Sequence, residues 1–160
     1  MYKSFIKRLP GPQSYCKCTN LCSPLEVDHV IPKAFIRKSG FPNKVSNDLH
    51  NLYPCCSKIN LDKTDKIFGQ DFLFSTDQTI HTGAVARACL YMYDTYQLPI
   101  KSTTVSLWRQ LDKIHEPKEF EISRNNLIFD VTKRKNHYLQ REAEQEYIIE
   151  IIKDDGYDKY

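Results

Sequence analysis

The sequence predicts an α+β domain, mainly helical, with a short strand–loop–strand–helix unit in its first half. Three observations predict this. Residues 25–31 are apolar and rich in β-branched side chains and stop at Pro32, as a short strand does. A second short extended piece, residues 49–53, is stopped by Pro54 and followed by a helical pattern. Further on, apolar residues recur at three- and four-residue spacing in several longer segments.

Residues 1–24, punctuated by Pro10, Gly11, Pro12 and Pro24, are expected to be loop. Residues 33–39 suit one or two helical turns before Gly40, residues 41–46 a loop, and residues 55–66 a helix ending before Gly69. The clearest helix is 83–97, apolar on most sides and therefore the expected core helix, with Arg87 as the exception inside it. Residues 105–114 place Leu107, Trp108, Leu111 and Ile114 on one face, Glu116-Pro117 closes them, and 120–129 is a further helix. In the tail, Leu139, Ala143, Tyr147, Ile148, Ile151 and Ile152 share one helical face with acidic residues outside. The expected organisation is one domain over 1–140 with a helical tail, 141–160, packed on it.

The chain has 160 residues, 41% hydrophobic and 27% charged, which is enough for one well-filled core in a soluble protein. No apolar run approaches the roughly 20 residues of a membrane helix, so no membrane partner is expected. The formal charge of +3 is unevenly spread: residues 141–160 hold three Lys/Arg against seven Asp/Glu, and the first 140 hold 20 against 13. A basic body suits a polyanionic partner. Residues 1–15 carry early lysines but no apolar stretch, which points to a cytoplasmic location.

Five of the six cysteines form two clusters, Cys16, Cys18 and Cys22, then Cys55 and Cys56; Cys89 stands alone in the core helix. In a chain without an export signal this favours free thiols or a metal over a disulfide framework. The spacing is not a pair of Cys-x-x-Cys knuckles, so structural zinc through the five clustered cysteines is a secondary reading.

The residues that carry chemistry are Asp28 and His29 at the end of the first strand, then Asn51, Asn60 and Lys63. A carboxylate and an amide oxygen are hard donors suited to magnesium. Adjacent residues on a strand point to opposite faces, so Asp28 and His29 serve different partners. A histidine with an ordinary pKa of about 6.5 is mostly neutral at pH 7 and able to take a proton from water. Asn51-Leu52, then Asn60, then Lys63 matches the downstream half of an HNH nuclease motif, in which the first asparagine ties the loop presenting the histidine and the last binds metal.

The match extends beyond that motif. Residues 27–33, 48–54 and Asn60 resemble the endonuclease I family, bacterial non-specific nucleases of the His-Me finger (ββα-metal) fold. Residues 83–92, Leu107-Trp108 and the run from Glu121 through Arg124-Asn125 to Ile128 are similar to later blocks of that family, in the same order. The resemblance implies His29 as general base, Asp28 and Asn60 as ligands of a single Mg2+ (or Mn2+ or Ca2+), and 5′-phosphate products. It also implies Arg87 at the catalytic site and Lys63, Arg124 and Asn125 on the nucleic-acid side. The chain departs from the family in having Asp28 for the usual glutamate and Lys63 for an arginine. It departs again at 132–138, where only Lys135, Asn136 and Tyr138 stay in register with the family's closing segment.

Lys133, Arg134, Lys135 and Asn136 are a candidate phosphate-tracking turn, with little sequence preference expected because the contacts are to backbone. His50, beside Asn51, is expected to make a structural hydrogen bond. Two rival readings are a catalytically weak nucleic-acid-binding module and a zinc-stabilised interaction domain. A nuclease retained in the cytoplasm needs an inhibitor or a foreign host, which suits a phage or viral enzyme. Neither the choice of DNA or RNA nor the oligomeric state is written in the sequence.

Overall fold

The structure, a computed structural model, describes residues 25–72 and 81–140. The expected N-terminal loop and C-terminal helix lie outside the described residues. Strands β1 (Leu25–His29) and β2 (Leu52–Cys56) pair antiparallel, with Val27 opposite Pro54 and His29 opposite Leu52. The Val30 N–H donates to the Asn51 carbonyl at 2.8 Å and carries the pairing one step past the sheet. Between the strands run α1 (Lys33–Lys38), α2 (Asn43–Ser46) and a 3-10 turn (Leu49–Asn51); α3 (Ser57–Lys63) follows β2.

Two expectations are corrected here. Residues 41–46 are not all loop, since Pro42 leads directly into α2. Cys55 and Cys56 belong to β2, not to the helix, because Pro54 does not stop the strand. Both strands of a two-stranded sheet are edges, and an edge position tolerates a residue that has no N–H to donate.

Helix α4 (Thr82–Tyr96) is the centre of the domain, and every residue from Gly83 to Met92 is buried. Helix α5 (Ser102–Ile114) packs along it and contributes Trp108, fully buried, whose indole N–H donates to the Phe68 carbonyl at 2.9 Å. The core joins Val30 and Ile31, which follow β1, and Ile36 of α1 to Val85, Cys89 and Met92 of α4. A smaller cluster of Leu49, Leu52 and Ile128 seats α6 (Glu119–Thr132) against the strand pair. Among the described residues, no helix is long and apolar enough to cross a membrane.

Arg87 accounts for the polar side of α4. Its Nε and Nη2 meet the two Glu121 carboxylate oxygens, each at 2.8 Å, and Nη1 reaches Asp112 at 3.2 Å and the His115 carbonyl at 2.6 Å. The side chain is 1% exposed, and one guanidinium therefore ties α4, α5 and α6 together. Glu121 also accepts from the Lys118 N–H at 2.9 Å, closing the first turn of α6. Gly83 leaves the room this requires: a Cβ there would sit 2.8 Å from Arg87 Nη2 and 2.6 Å from the Cβ of His115.

Removing one partner of a buried ion pair strands the others. Arg87→Met is expected to lower the unfolding free energy by about 3–5 kcal/mol in urea titrations. A loss below about 1 kcal/mol would show that the network is not holding the helices.

Candidate active site

Alternation along β1 places Glu26 and Asp28 on one face and Val27 and His29 on the other. Helix α3 crosses the first face. Asn60 Nδ2 donates to Glu26 Oε2 at 2.6 Å, and one helical turn on, Lys63 Nζ lies 3.0 Å from Asp28 Oδ2 and 3.3 Å from Oδ1. The same ammonium donates to the His29 carbonyl at 2.8 Å. Lys63 is 0% exposed and Asp28 6%, so this is a buried pair. The expected contact of Lys63 with nucleic acid is thereby corrected: the ammonium is enclosed and committed to the strand.

His29 faces away from this pair, as its strand position requires, and its side chain hydrogen-bonds that of Asn47, which caps α2. Burial lowers its pKa from the ordinary 6.5; Asp28 opposes the shift, Lys33 and Lys63 add to it, and the Asn47 bond opposes it. The ring is therefore neutral at pH 7. Its Nε2 is shielded from solvent and has no hydrogen-bond partner among the described residues. An unsatisfied buried nitrogen is uncommon, and a catalytic role is one physical reason for one.

The loop carrying His29 is closed by Asn51. Its Oδ1 accepts from the Ile31 N–H at 2.8 Å, while Nδ2 donates to the carbonyls of Ile31 and Ser46, each at 3.1 Å. Asn51 is 0% exposed and fully engaged, so it is a positioning residue and touches no reactant. His50 beside it is buried against Tyr91, with ring centroids 4.4 Å apart, and its Nε2–H donates to the Arg134 carbonyl at 3.2 Å.

Among the described residues, no three His, Cys, Asp or Glu side chains gather into a metal cluster. The donors beside α3 do suit a hard cation that keeps waters and takes up substrate phosphate. Such an ion uses one or two carboxylates; Glu26 and Asp28 share this face, Glu26 taking the Asn60 amide nitrogen and leaving its oxygen as acceptor, and Asp28 paired with Lys63. The set is all oxygen and fits magnesium better than zinc. Cys55 and Cys56 are buried on β2, and Cys55 Sγ donates to the Cys56 carbonyl at 3.3 Å. Cys16, Cys18 and Cys22 lie outside the described residues.

Several expected site residues are placed elsewhere. Arg87 belongs to the helix-tying network and makes no bond to His29, Asp28 or Asn60. Arg124, 3% exposed, donates Nη2 to the carbonyls of Leu49 and Leu52 and stacks 4.1 Å from the Tyr53 ring centroid. Asn125 and Asn136 bond each other, and Asn136 also donates to the Arg87 carbonyl at 3.1 Å. These three are buried structural groups, not phosphate contacts. Lys133, Arg134 and Lys135 remain exposed, the two lysines flanking the Phe129 ring. Glu26 and Asn47 are the additions. Glu26 was readable as the same-face neighbour of Asp28, whereas Asn47 reaches His29 only through the fold.

No model of a known protein family matches the chain. It is 25% identical over 163 residues to Endonuclease-1 of Buchnera aphidicola subsp. Baizongia pistaciae (strain Bp), covering 81% of this chain and 66% of that protein. It is 26% identical over 157 residues to Endonuclease-1 of Buchnera aphidicola subsp. Acyrthosiphon pisum (strain APS), covering 78% and 63%. This chain is a relative of endonuclease I. The Periplasmic deoxyribonuclease of Aeromonas hydrophila matches at 22% over 161 residues, covering 80% and 68%. The chain spans 63–68% of the length of these three relatives. The last name overturns the cytoplasmic expectation: a relative that shares most of this chain is placed by its own name in the periplasm.

Two outcomes test the loop. The pKa of His50 is lowered to about 4, chiefly by burial, so the unfolded chain takes the proton first. Stability is then complete above about pH 6.5 and falls as pH drops toward 4, by on the order of 3 kcal/mol. His50→Gln should flatten that part of a plot of unfolding free energy against pH; an unchanged slope would refute the assignment. Asn51→Ala leaves buried backbone groups of Ile31 and Ser46 unpaired and should cost about 2–4 kcal/mol in the same titrations.

Proposed function

We propose that this relative of endonuclease I is a metal-dependent DNA endonuclease built on a ββα-metal (His-Me finger) core formed by β1, β2 and α3. The observation that carries the reading is the buried, unpartnered Nε2 of a neutral His29, one residue from Asp28. Its support from relatives is that they are named Endonuclease-1 and Periplasmic deoxyribonuclease.

In this reading His29 Nε2 accepts the proton of the attacking water, and Asn47 keeps the imidazole turned toward it. Asp28 and Asn60 hold the divalent ion, with Glu26 as the adjacent carboxylate. When bound, the ion supplies Lewis-acid stabilisation of charge developing on the phosphate and leaving oxygen. Lys63 holds the Asp28 carboxylate in place without touching substrate. Asn51 fixes the carbonyl ladder behind His29. The exposed basic turn at 133–135 contacts backbone phosphate, which favours little sequence preference, and cleavage leaves 5′-phosphate ends.

The test is supercoiled plasmid with Mg2+, beside an EDTA control and the His29→Ala variant. Loss of the base is expected to lower kcat about 10²–10⁴-fold, with duplex binding retained. Cleavage that persists in EDTA, or at full rate in His29→Ala, would overturn the mechanism. A smear of products supports low specificity, and discrete bands would replace it with a sequence-specific enzyme.

A further inference from the structure

A surface groove between α2 and the turn after α6 is lined by Lys44, Asn47, Asp48, Tyr96, Thr132 and Arg134. Asn47 belongs to both places: it lines the groove and hydrogen-bonds the His29 side chain, so the groove and the imidazole share one wall.

Arg134, though exposed, is anchored at both its side chain and its backbone. Its Nη1 donates to the Tyr96 hydroxyl at 2.9 Å and lies 3.7 Å from Asp48 Oδ2. Its N–H donates to Thr132 Oγ1 at 3.2 Å, and its carbonyl accepts from His50 Nε2 at 3.2 Å. The groove's carboxylate is turned inward. Asp48 is 6% exposed on its side chain and accepts from the Tyr96 hydroxyl at 2.6 Å, the Tyr91 hydroxyl at 3.2 Å and the His50 N–H at 2.9 Å. Lys44, also lining the groove, is exposed to solvent. What the groove presents outward is two cations, one pre-positioned, beside an amide and a hydroxyl. Ordering a cation before binding removes part of the entropic cost of gripping an anion.

We propose that this groove is a second phosphate subsite, in which Lys44 and Arg134 grip a backbone phosphate of the same nucleic-acid strand whose scissile phosphate lies at His29. The inference rests on the nuclease reading for the strand's course. Its chemistry, a phosphodiester between a lysine and an anchored arginine, stands on the groove itself. The subsite also explains why the cations of the turn at 133–135 are not equivalent: Arg134 is braced by side chains of two other elements, while Lys133 and Lys135 lie over Phe129.

The probe is a fluorescein-labelled DNA duplex of about 16 base pairs, bound in EDTA by the His29→Ala protein over a range of KCl concentrations. Lys44→Ala combined with Arg134→Gln should weaken binding about tenfold and reduce the slope of log K against log salt by about 0.9, one phosphate's worth. Lys44→Ala alone, on an exposed side chain, should carry part of both effects with unfolding unchanged. Lys113→Ala, an exposed lysine of α5 that does not line the groove, sets the effect of losing one surface charge. A double variant no weaker than Lys113→Ala would overturn the subsite. In protein with His29 intact and Mg2+ present, the double variant should raise KM with kcat within about twofold. Groove-dependent binding without any cleavage by the unsubstituted protein would sink the nuclease reading and leave the subsite standing.

Discussion

One buried amide closes the loop on which the candidate site depends. Asn51 meets both backbone groups of Ile31 and the carbonyl of Ser46, while its own carbonyl receives the Val30 N–H. More than twenty residues separate the two strands, and a two-stranded sheet has little to hold it together by itself. With Asn51 in place, the end of β1 is locked to the start of β2, and Val30 and Ile31 are delivered into the core. His29 is then the last residue before the clamp, with Asn47 against its side chain.

The cations divide into those that build the fold and those that face solvent. Lys63 neutralises Asp28, Arg87 gathers Glu121 and Asp112, and Arg124 collects two carbonyls under the ring of Tyr53. Each is buried where an unpaired charge would be costly; Lys63 and Arg87 meet carboxylates there, while Arg124 is held by carbonyls and a ring. They occupy positions where phosphate contacts were expected, yet the enclosure that makes them structurally valuable removes them from any polyanion. The positive charge that faces solvent lies on other side chains, Lys44 and residues 133–135 among them.

The two faces of β1 thus carry different tasks on one short strand. On one, Glu26 and Asp28 are stapled to α3 by Asn60 and Lys63. On the other, His29 is neutral, held from one side and unbonded at Nε2. Separation by the pleat keeps a prospective base from being consumed as a ligand by the groups beside it. The neighbouring groove extends the second face toward the basic turn through Asn47.

The sequence by itself determined the helices, because their apolar spacing reflects burial against a single core, and it marked β1 through an apolar, β-branched run ending at Pro32, while it set the second strand three residues early. It also marked Asp28, His29, Asn51 and Asn60, since their order and spacing along the chain are the motif. It misjudged the start of α3, because only strand pairing shows that Pro54 sits at an edge. It could not tell a buried arginine from a surface one, as with Arg87 and Arg124, since a cation's role depends on which carboxylates and carbonyls surround it after folding. Asn47 and Lys44 were silent for the same reason: neither has a signature in the chain, and only the packing of α2 beside His29 and Arg134 brings them to the site.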